Sequence, residues 1–509
     1  MVRFSISVAI GFAGVWAHVA LINLGGEYAW REYLAEWEGR GEELDVENFV
    51  PKELDPTSNF FNVPSIAMSI RMRDSGSSEL TPLDRLDLRE IGRMRDRKTP
   101  PNRRYDWRAS QPIQLVDYLK EETEMSNAEA AGIILQDMEL VRPILDEIAD
   151  SARTCKYART DLEALKKPIV YFEERRKPHH RVTRRIPFII IAYAYQARAF
   201  AYLESTQYQP ALDDIVTCLH LSRLAADMPG IADAGIAHVC GLLSAQPIWQ
   251  GLRAQVWNSD QLSILDSELA RCAFGNVVMR ALKFELACEV SYLDRVLDEG
   301  RHEAFAERFA DHVSPEVSEK NRWKWVGKLA PRGVFYHNMT GFGRAVELLM
   351  GPDGISAEQA RRFDAFAGAP IVGFDYKTFM VQSHPTVAAL EGLIPVKNLV
   401  AMRQYLHLAQ IAIGLEKFNI YMNRYPEELD ELVPDYLDEL PPDLSGPGHS
   451  FRYLLRADGR PSVYCVGFDE IDDGGMPSKN SRYGDVVWQY SPPPDFDLEA
   501  YALSSAIDE

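Results

Sequence analysis

The sequence predicts a mainly α-helical protein with a single N-terminal transmembrane helix, an irregular α-helical domain and a small C-terminal α+β module. Three patterns predict this: an apolar run from Phe4 to Leu24, apolar residues at three- and four-residue steps from about 125 to 310, and strand-like runs after residue 450. The predicted divisions are an anchor (1–25), an extended arm with short helices (26–120), the helical domain (121–395), the C-terminal module (396–495) and a tail (496–509).

The N-terminal apolar run is long enough to cross a membrane as a helix. At about 1.5 Å per residue, its 21 residues span the hydrocarbon core of a bilayer. Arg3 precedes the run and acidic residues predominate after it, so the positive-inside rule leaves the N-terminus in the cytoplasm and the rest of the chain in the periplasm. Val15-Trp-Ala17 also fits a signal-peptide cleavage site. The run continues past that site, which favours an uncleaved anchor in the cytoplasmic membrane.

The charge balance is strongly acidic. The chain has 55 Lys and Arg against 75 Asp and Glu, a net charge of −20 that argues against nucleic acid as a partner and favours solubility. The six cysteines form no CxxC pair and no metal-ligand spacing. Most of them lie in apolar, helical surroundings, which is typical of small core residues.

The arm shows little periodicity. A short helix with Trp30, Tyr33, Leu34 and Trp37 leads into sequence that is rich in arginine and interrupted by proline. Acidic residues are interspersed with these arginines, which predicts side chains that are solvated or paired within the protein. The arm is therefore predicted to be extended chain that docks on something else.

Helix signals dominate the next domain. Ser126-Asn-Ala-Glu129 and Asn258-Ser-Asp-Gln261 predict helix N-termini with capping boxes. Ala197–Leu203 and Ala211–Asp214 flank a polar turn and predict one helical hairpin of the tetratricopeptide type. No repeat of fixed period follows, so the sequence does not predict a solenoid.

A glycine-containing region follows the periodic helices. Residues 321–375, with Trp323 and Trp325, are interpreted as a compact link between helices, and helix is predicted again at Pro385–Glu391 and Val396–Phe418. Beyond these, Ser450–Leu455 and Ser462–Val466 lie on either side of Asp458-Gly459, which predicts a β-hairpin. A helix followed by a small antiparallel sheet makes the C-terminal module an α+β unit.

The order of short motifs in residues 411–490 resembles a known family. After the helix come Tyr421-Met-Asn-Arg-Tyr-Pro426, Leu432-Val-Pro434, the acidic loop Gly467-Phe-Asp-Glu-Ile-Asp-Asp-Gly-Gly475 and Gly484-Asp-Val-Val-Trp488. This order resembles the globular domain of the major pseudopilins of type II secretion systems. The resemblance implies an assembly module that is held together by a metal ion and has no active site. It does not extend to the pseudopilin N-terminus, because the predicted anchor lies almost 400 residues away.

The chain as a whole resembles a set of uncharacterised, membrane-anchored bacterial proteins. The order of several short segments carries this second resemblance, which implies no established activity. These segments are Arg40–Asp45, Asn59–Phe61, Leu219–Leu224, Ala281–Ala287, Pro331–Asn338, Asp472–Gly475 and Gly484–Trp488.

The pseudopilin resemblance implies a calcium site in the acidic loop. Pseudopilins bind calcium through aspartates and backbone carbonyls of this loop and of the strand that follows it. By position, Asp469 and Asp485 correspond to the ligands, with Asp473 or Asp472 as replacements. Calcium takes six to eight oxygen ligands, which clustered carboxylates on a glycine-rich loop can supply in part. The alternative is a solvated acidic turn whose glycines adopt positive φ.

Other candidate sites are weaker. The basic run from Lys166 to Arg185 predicts either a solvated loop or a docking site for anionic lipid or an acidic partner. His179-His180 has no third ligand nearby, and His302-Glu303 lacks the second histidine of a zinc protease motif. Gly341-Phe-Gly343 lacks the third glycine of a nucleotide-binding loop, and the chain contains neither a Gly-x-Ser-x-Gly elbow nor a P-loop.

These patterns predict a membrane-tethered, exported scaffold or accessory protein for secretion or surface assembly. Its partners would be the cytoplasmic membrane, through residues 4–24, and other proteins. The alternative is a periplasmic hydrolase with an unrecognised site in the helical domain. A deep pocket with convergent titratable residues favours the enzyme, and a shallow surface favours the scaffold.

Overall fold

The computed structural model describes residues 2–42, 44–49, 55–76, 79–86, 107–119, 125–159, 178–272, 274–300, 330–351, 354–367, 373–375, 380–382, 396–446, 448–478, 484–497 and 501. These residues are mainly helical, with a small three-stranded antiparallel sheet near the C-terminus, which confirms the predicted fold class at this level. The helix predicted at Pro385–Glu391 lies outside the described residues.

The described helices and strands follow in chain order. The helices are α1 (Val2–Gly39), α2 (Pro64–Asp74), α3 (Asn127–Glu139), α4 (Arg142–Thr154), α5 (Pro178–Glu204), α6 (Tyr208–Asp227), α7 (Ile231–Arg253), α8 (Ser259–Ala270), α9 (Phe274–Asp298), α10 (Arg332–Leu348), α11 (Ala357–Ala367) and α12 (Val396–Met422). The strands are β1 (Gly373–Asp375), β2 (Met380–Gln382), β3 (Arg452–Leu455), β4 (Pro461–Cys465) and β5 (Val486–Gln489).

Helix α1 continues without a break through the predicted boundary between anchor and arm. Its second half buries Trp30, Tyr33 and Trp37 against the rest of the protein. Asn23 of α1 contacts Gly333 near the start of α10, and Arg40, just after α1, contacts Glu347 near the end of α10. The two helices therefore run parallel, and the start of α10 lies beside the middle of α1.

The prediction of a compact link over residues 321–375 is wrong where the structure describes them, because α10 and α11 occupy residues 332–348 and 357–367. The glycines of α10 serve close helix packing and not turns. A Cβ atom at Gly343 would lie 2.3 Å from the Tyr33 hydroxyl, and one at Gly333 would meet the backbone of α1. Trp323 and Trp325 lie outside the described residues.

The local helix signals are confirmed. Ser126 and Glu129 form a capping box at the start of α3, and Asn258 and Gln261 form another at the start of α8. Helices α5 and α6 form the predicted hairpin. All six cysteines are free thiols, and five of them are buried, as expected of core residues.

The described part of the arm docks on the helical domain through short 3₁₀ turns and α2. Phe60 and Phe61 pack on Phe188 of α5, with ring centroids 5.3 and 5.9 Å apart. Trp107 lies between three aromatic rings of α7, α12 and β5, namely Trp249, Tyr405 and Trp488. One side chain of the arm thus joins the helical domain to the C-terminal module.

The predicted β-hairpin is confirmed, since β3 pairs with β4 in antiparallel register around Asp458-Gly459 and β5 completes the sheet. This sheet shares its apolar core with α6, α7, α8 and α12. The Trp249 indole N–H donates to the Gln489 carbonyl at 2.9 Å. Arg460 donates to the last carbonyls of α7, at Leu252 and Arg253.

Among the described residues, one helix is long and apolar enough to cross a membrane by length and composition. That helix is α7, and 78% of its most apolar window is buried inside the protein, as in the core helix of a globular domain. The side chains of residues 1–13, which make up about half of the predicted anchor, are not described, so this statement about membrane-spanning helices does not extend to that anchor.

Candidate functional site

The acidic loop connects β4 to β5 and is closed at its two ends by glycines. Gly467 has a φ of +65°, and a Cβ atom there would lie 2.4 Å from the Gly484 carbonyl oxygen. Only glycine allows this backbone conformation together with so close an approach. The two ends of the loop therefore touch, and the aspartates between them are held in a small volume.

Two aspartates organise the loop backbone. Asp469 accepts hydrogen bonds from the Gly484 N–H at 2.8 Å and from the Ile471 N–H at 3.2 Å. Asp472 accepts from the Gly474 N–H at 3.0 Å and forms an ion pair of 2.8 Å with Arg452 of β3. These bonds fix the loop without an added ligand.

Asp485 is the most unusual group of the site. Its side chain is buried, and its Oδ2 accepts from the Gly475 N–H at 2.7 Å, while its Oδ1 has no hydrogen-bond partner within the described residues. Burial raises the pKa of Asp485 to about 6, and the negative charges of Asp473 and Asp472 add to this effect. A buried carboxylate oxygen without a partner marks a position that a cation can occupy.

Asp473 interacts electrostatically with both other predicted ligands, Asp469 and Asp485. Burial raises its pKa, and so do the charges of Asp469 and Asp472, while Asp473 in turn acts on Asp485. Asp473 is therefore close enough to repel both Asp469 and Asp485. A bound cation would relieve this repulsion.

The residues present fit a calcium site only with help from the backbone. Within the described residues, no three side chains of His, Cys, Asp or Glu are placed to hold a metal ion by themselves. Calcium there would take oxygens from Asp485 and Asp473 and complete its shell with loop carbonyls or water. When bound, calcium would supply positive charge that ties the loop to β5.

Two arginines of the hairpin were not predicted as part of this site. Arg452 pairs with Asp472, and Arg456 donates to the carbonyls of Gly474 and Gly475 at 3.4 and 3.2 Å. They reach the loop because β3 is antiparallel to β4, and the sequence carries no local signal for this contact.

The remaining candidates lie mostly outside the described part of the chain. Residues 160–177 and 301–329 are outside it, which covers most of the basic run together with His302 and Glu303. The backbone of His179 and His180 belongs to the first turn of α5, but their side chains are not described. Gly341 and Gly343 lie inside α10 and not in a loop.

No protein-family model, curated protein or solved structure matches this chain significantly. The comparisons therefore assign no family, and the pseudopilin resemblance of residues 411–490 stays a prediction.

Proposed function

We propose that this protein is a membrane-tethered scaffold or accessory protein on the outer side of the cytoplasmic membrane, for secretion or surface assembly. Helix α1 would cross the membrane, and the folded part would present its surface to other proteins. The observation that carries the proposal is the contrast between the two halves of α1.

The first half of α1 exposes apolar side chains that water would not tolerate well. Val15 and Trp16 in this half, and Leu21 just past its end, expose between 63% and 76% of their surface. The backbone of α1 meets α10 at Ile22 and Asn23. The preceding 20 helical residues are about 30 Å long, which equals the hydrocarbon thickness of a bilayer. In a bilayer, lipid tails would cover these apolar side chains and remove them from water.

The second half of α1 ties the predicted anchor rigidly to the folded part. Asn23 Oδ1 accepts from the Gly333 N–H at 2.8 Å, so α1 caps the otherwise uncapped start of α10. Further along, Glu36 pairs with Arg344 at 2.5 Å. A continuous helix with these contacts would hold the protein in one orientation at the membrane, as a scaffold requires.

A charge in the exposed half of α1 is expected to release the protein from the membrane. Val15→Asp places a carboxylate near the centre of the predicted span, where it adds about 2.5–3.5 kcal/mol to the cost of insertion. We expect wild-type protein to resist carbonate extraction and to give active periplasmic reporter fusions after Glu36. The variant should be largely extracted.

The matched control is Leu140→Asp, which alters an apolar residue that is 78% exposed at the end of α3. This variant should fractionate as wild type does, because Leu140 would already face water. Equal extraction of wild type and Val15→Asp, or a mature chain that begins at His18, would remove the anchor from the proposal.

Calcium is expected to stabilise the folded protein if the acidic loop binds it. Ligand at about 100 times its Kd adds roughly 2.7 kcal/mol to the free energy of unfolding. We expect the full chain to melt at a higher temperature in calcium than in chelator, and Asp485→Asn to abolish the difference. The full chain is required because the C-terminal module shares its core with α6, α7 and α8.

Asp485→Asn should also be more stable than wild type in chelator at neutral pH, by about 1–2 kcal/mol. The pKa of Asp485 is raised on folding, so its stabilising contribution is complete below the unfolded pKa of about 4 and is lost as pH rises through about 6. The advantage of the variant should therefore grow over that interval. Asp438→Asn, at an exposed acidic residue outside the loop, is the control. Identical melting of wild type in calcium and chelator would leave a plain acidic turn.

A further inference from the structure

A cleft of about 800 Å³ lies between α8 and α12, apart from the acidic loop and from α1. Helix α12 contributes Arg403, His407 and Gln410 to one wall, and α8 contributes Asp266 to the opposite wall. The first residues of α9 line the same space, and its rim is formed by Leu437, Asp438, Glu439, Pro441 and Pro442. A volume of this size accommodates a small organic molecule.

The start of α9 provides hydrogen-bond donors to the cleft. Phe274, Gly275 and Asn276 are its first three residues and all line the space. The first N–H groups of a helix have no partner within the helix. Such an N-terminus favours an anion, since its N–H groups carry partial positive charge.

Two arginines add full positive charge near this helix start. Arg403 is buried, with 8% of its surface exposed. Its position relative to α9 follows from Gly354, which lies next to both: a Cβ atom at Gly354 would lie 2.6 Å from an Arg403 amino group and 3.1 Å from the Gly275 carbonyl oxygen. Arg403 therefore lies beside the first turn of α9. Arg271, at the end of α8, lines the cleft and is held by Glu268 at 2.6 Å.

His407 supplies a hydrogen-bond acceptor in the same wall. It is 8% exposed, and its Nδ1 lies 2.8 Å from the Pro442 carbonyl, which can only accept a hydrogen bond. Nδ1 must therefore carry the proton. Burial and the charge of Arg403 lower the pKa of His407 to about 3, so the ring is neutral and Nε2 is a free acceptor within the described residues.

We propose that this cleft binds a small hydroxylated phosphate ester, such as a sugar or polyol phosphate. The phosphate group would lie at the start of α9 beside Arg403 and Arg271, and a ligand hydroxyl would donate to His407 Nε2. The proposal does not depend on the membrane tether.

The acidic residues of the cleft are compatible with this ligand. Lys417 pairs with Asp266 at 2.5 Å and offsets its charge. Asp438 and Glu439 are exposed residues of the rim, where carboxylates can accept hydrogen bonds from further hydroxyl groups. The positive groups thus lie toward the helix start, and Asp438 and Glu439 lie toward solvent.

The test measures binding of glycerol 3-phosphate and methyl phosphate to the full-length protein in detergent by titration calorimetry. Glycerol 3-phosphate should bind about fivefold more tightly, since its hydroxyl makes one additional hydrogen bond. Arg271→Gln should weaken both ligands by roughly tenfold through loss of a charged hydrogen bond. His407→Leu should abolish the preference for glycerol 3-phosphate and leave methyl phosphate nearly unchanged.

Arg142→Gln is the control, because Arg142 is an exposed arginine of α4 that pairs with Glu139 and Asp146 away from the cleft. It should bind as wild type does. Arg271 is largely exposed, so its variant is expected to fold even if changes at His407 do not. Absence of binding of either phosphate at about 10 mM, or wild-type affinity in Arg271→Gln, would overturn the site. A preference retained in His407→Leu would overturn the role of Nε2.

Discussion

Replacing Gly333 with alanine is expected to lower the free energy of unfolding by about 3 kcal/mol or more, because the added methyl group would meet the backbone of α1. A Cβ atom at Gly333 would lie 2.0 Å from the Ile22 carbonyl oxygen and 2.6 Å from the Asn23 Cα. Gly26 faces the same crossing, since its Cβ would lie 2.2 Å from the Gly333 carbonyl oxygen. Neither helix can yield by turning a side chain, so the helices must separate. Chemical denaturation of the full chain in detergent measures the loss.

Two other glycines provide matched controls. Gly25 adjoins Gly26, but its Cβ would have only the His337 ring at 3.7 Å, and a Cβ at Gly132 of α3 would meet nothing within 4 Å. Alanine at either position is expected to leave stability unchanged or to raise it by up to about 1 kcal/mol, since alanine favours helix over glycine. If Gly333→Ala were as stable as these controls, the close crossing of α1 and α10 would be wrong, and with it the rigid link to the predicted anchor.

The parts of the fold that the sequence predicted correctly depend on neighbouring residues. The capping box at Ser126 and the hairpin at Asp458-Gly459 need contacts only three to twelve residues apart, so their signals lie within one short window. Residues 332–348 were misinterpreted for the opposite reason. Glycine usually indicates a turn, but Gly333 packs against a helix 310 positions earlier in the chain, and no local pattern contains that partner.

The candidate sites differ in the same respect: the predicted one is formed by residues close in sequence, and the other is not. The resemblance to pseudopilins placed Asp469, Asp473 and Asp485 in one loop, because a loop closed by glycines brings sequence neighbours together. The cleft beside His407 was not predicted. Its walls come from the consecutive helices α8 and α9 and from α12, whose cleft residues begin more than 100 positions after those of α9. Each helix contributes polar residues that look like an ordinary solvated helix face. Only packing of the three helices makes those residues converge.

Removal of Arg198 is expected to cost about 3–5 kcal/mol, because it would leave the carboxylate of Asp214 buried without its partner. Arg198 of α5 donates two hydrogen bonds to Asp214 of α6, at 2.8 and 2.6 Å, and joins the two helices of the predicted hairpin. Asp214 is 3% exposed, and burial raises its pKa to about 6 even with Arg198 in place. Arg198→Met keeps the apolar stem of the side chain and removes only the charged group, so denaturation of this variant measures the uncompensated carboxylate.

Three comparisons separate this effect from a general loss of packing. The double variant Arg198→Met with Asp214→Leu should recover most of the loss, because no charge then remains buried. Arg142→Met, which breaks exposed ion pairs on α4, should cost less than about 1 kcal/mol. The third comparison is pH. Without Arg198 the folded pKa of Asp214 rises further above its unfolded value of about 4, so the stability that its protonation contributes is complete below that value and is lost as pH rises. Wild type loses the same contribution between about pH 4 and pH 6, so the cost of Arg198→Met should grow only as the pH rises above about 6, where Asp214 ionises in wild type but stays protonated in the variant. A cost that did not change above pH 6 would show that the buried charge is not its cause.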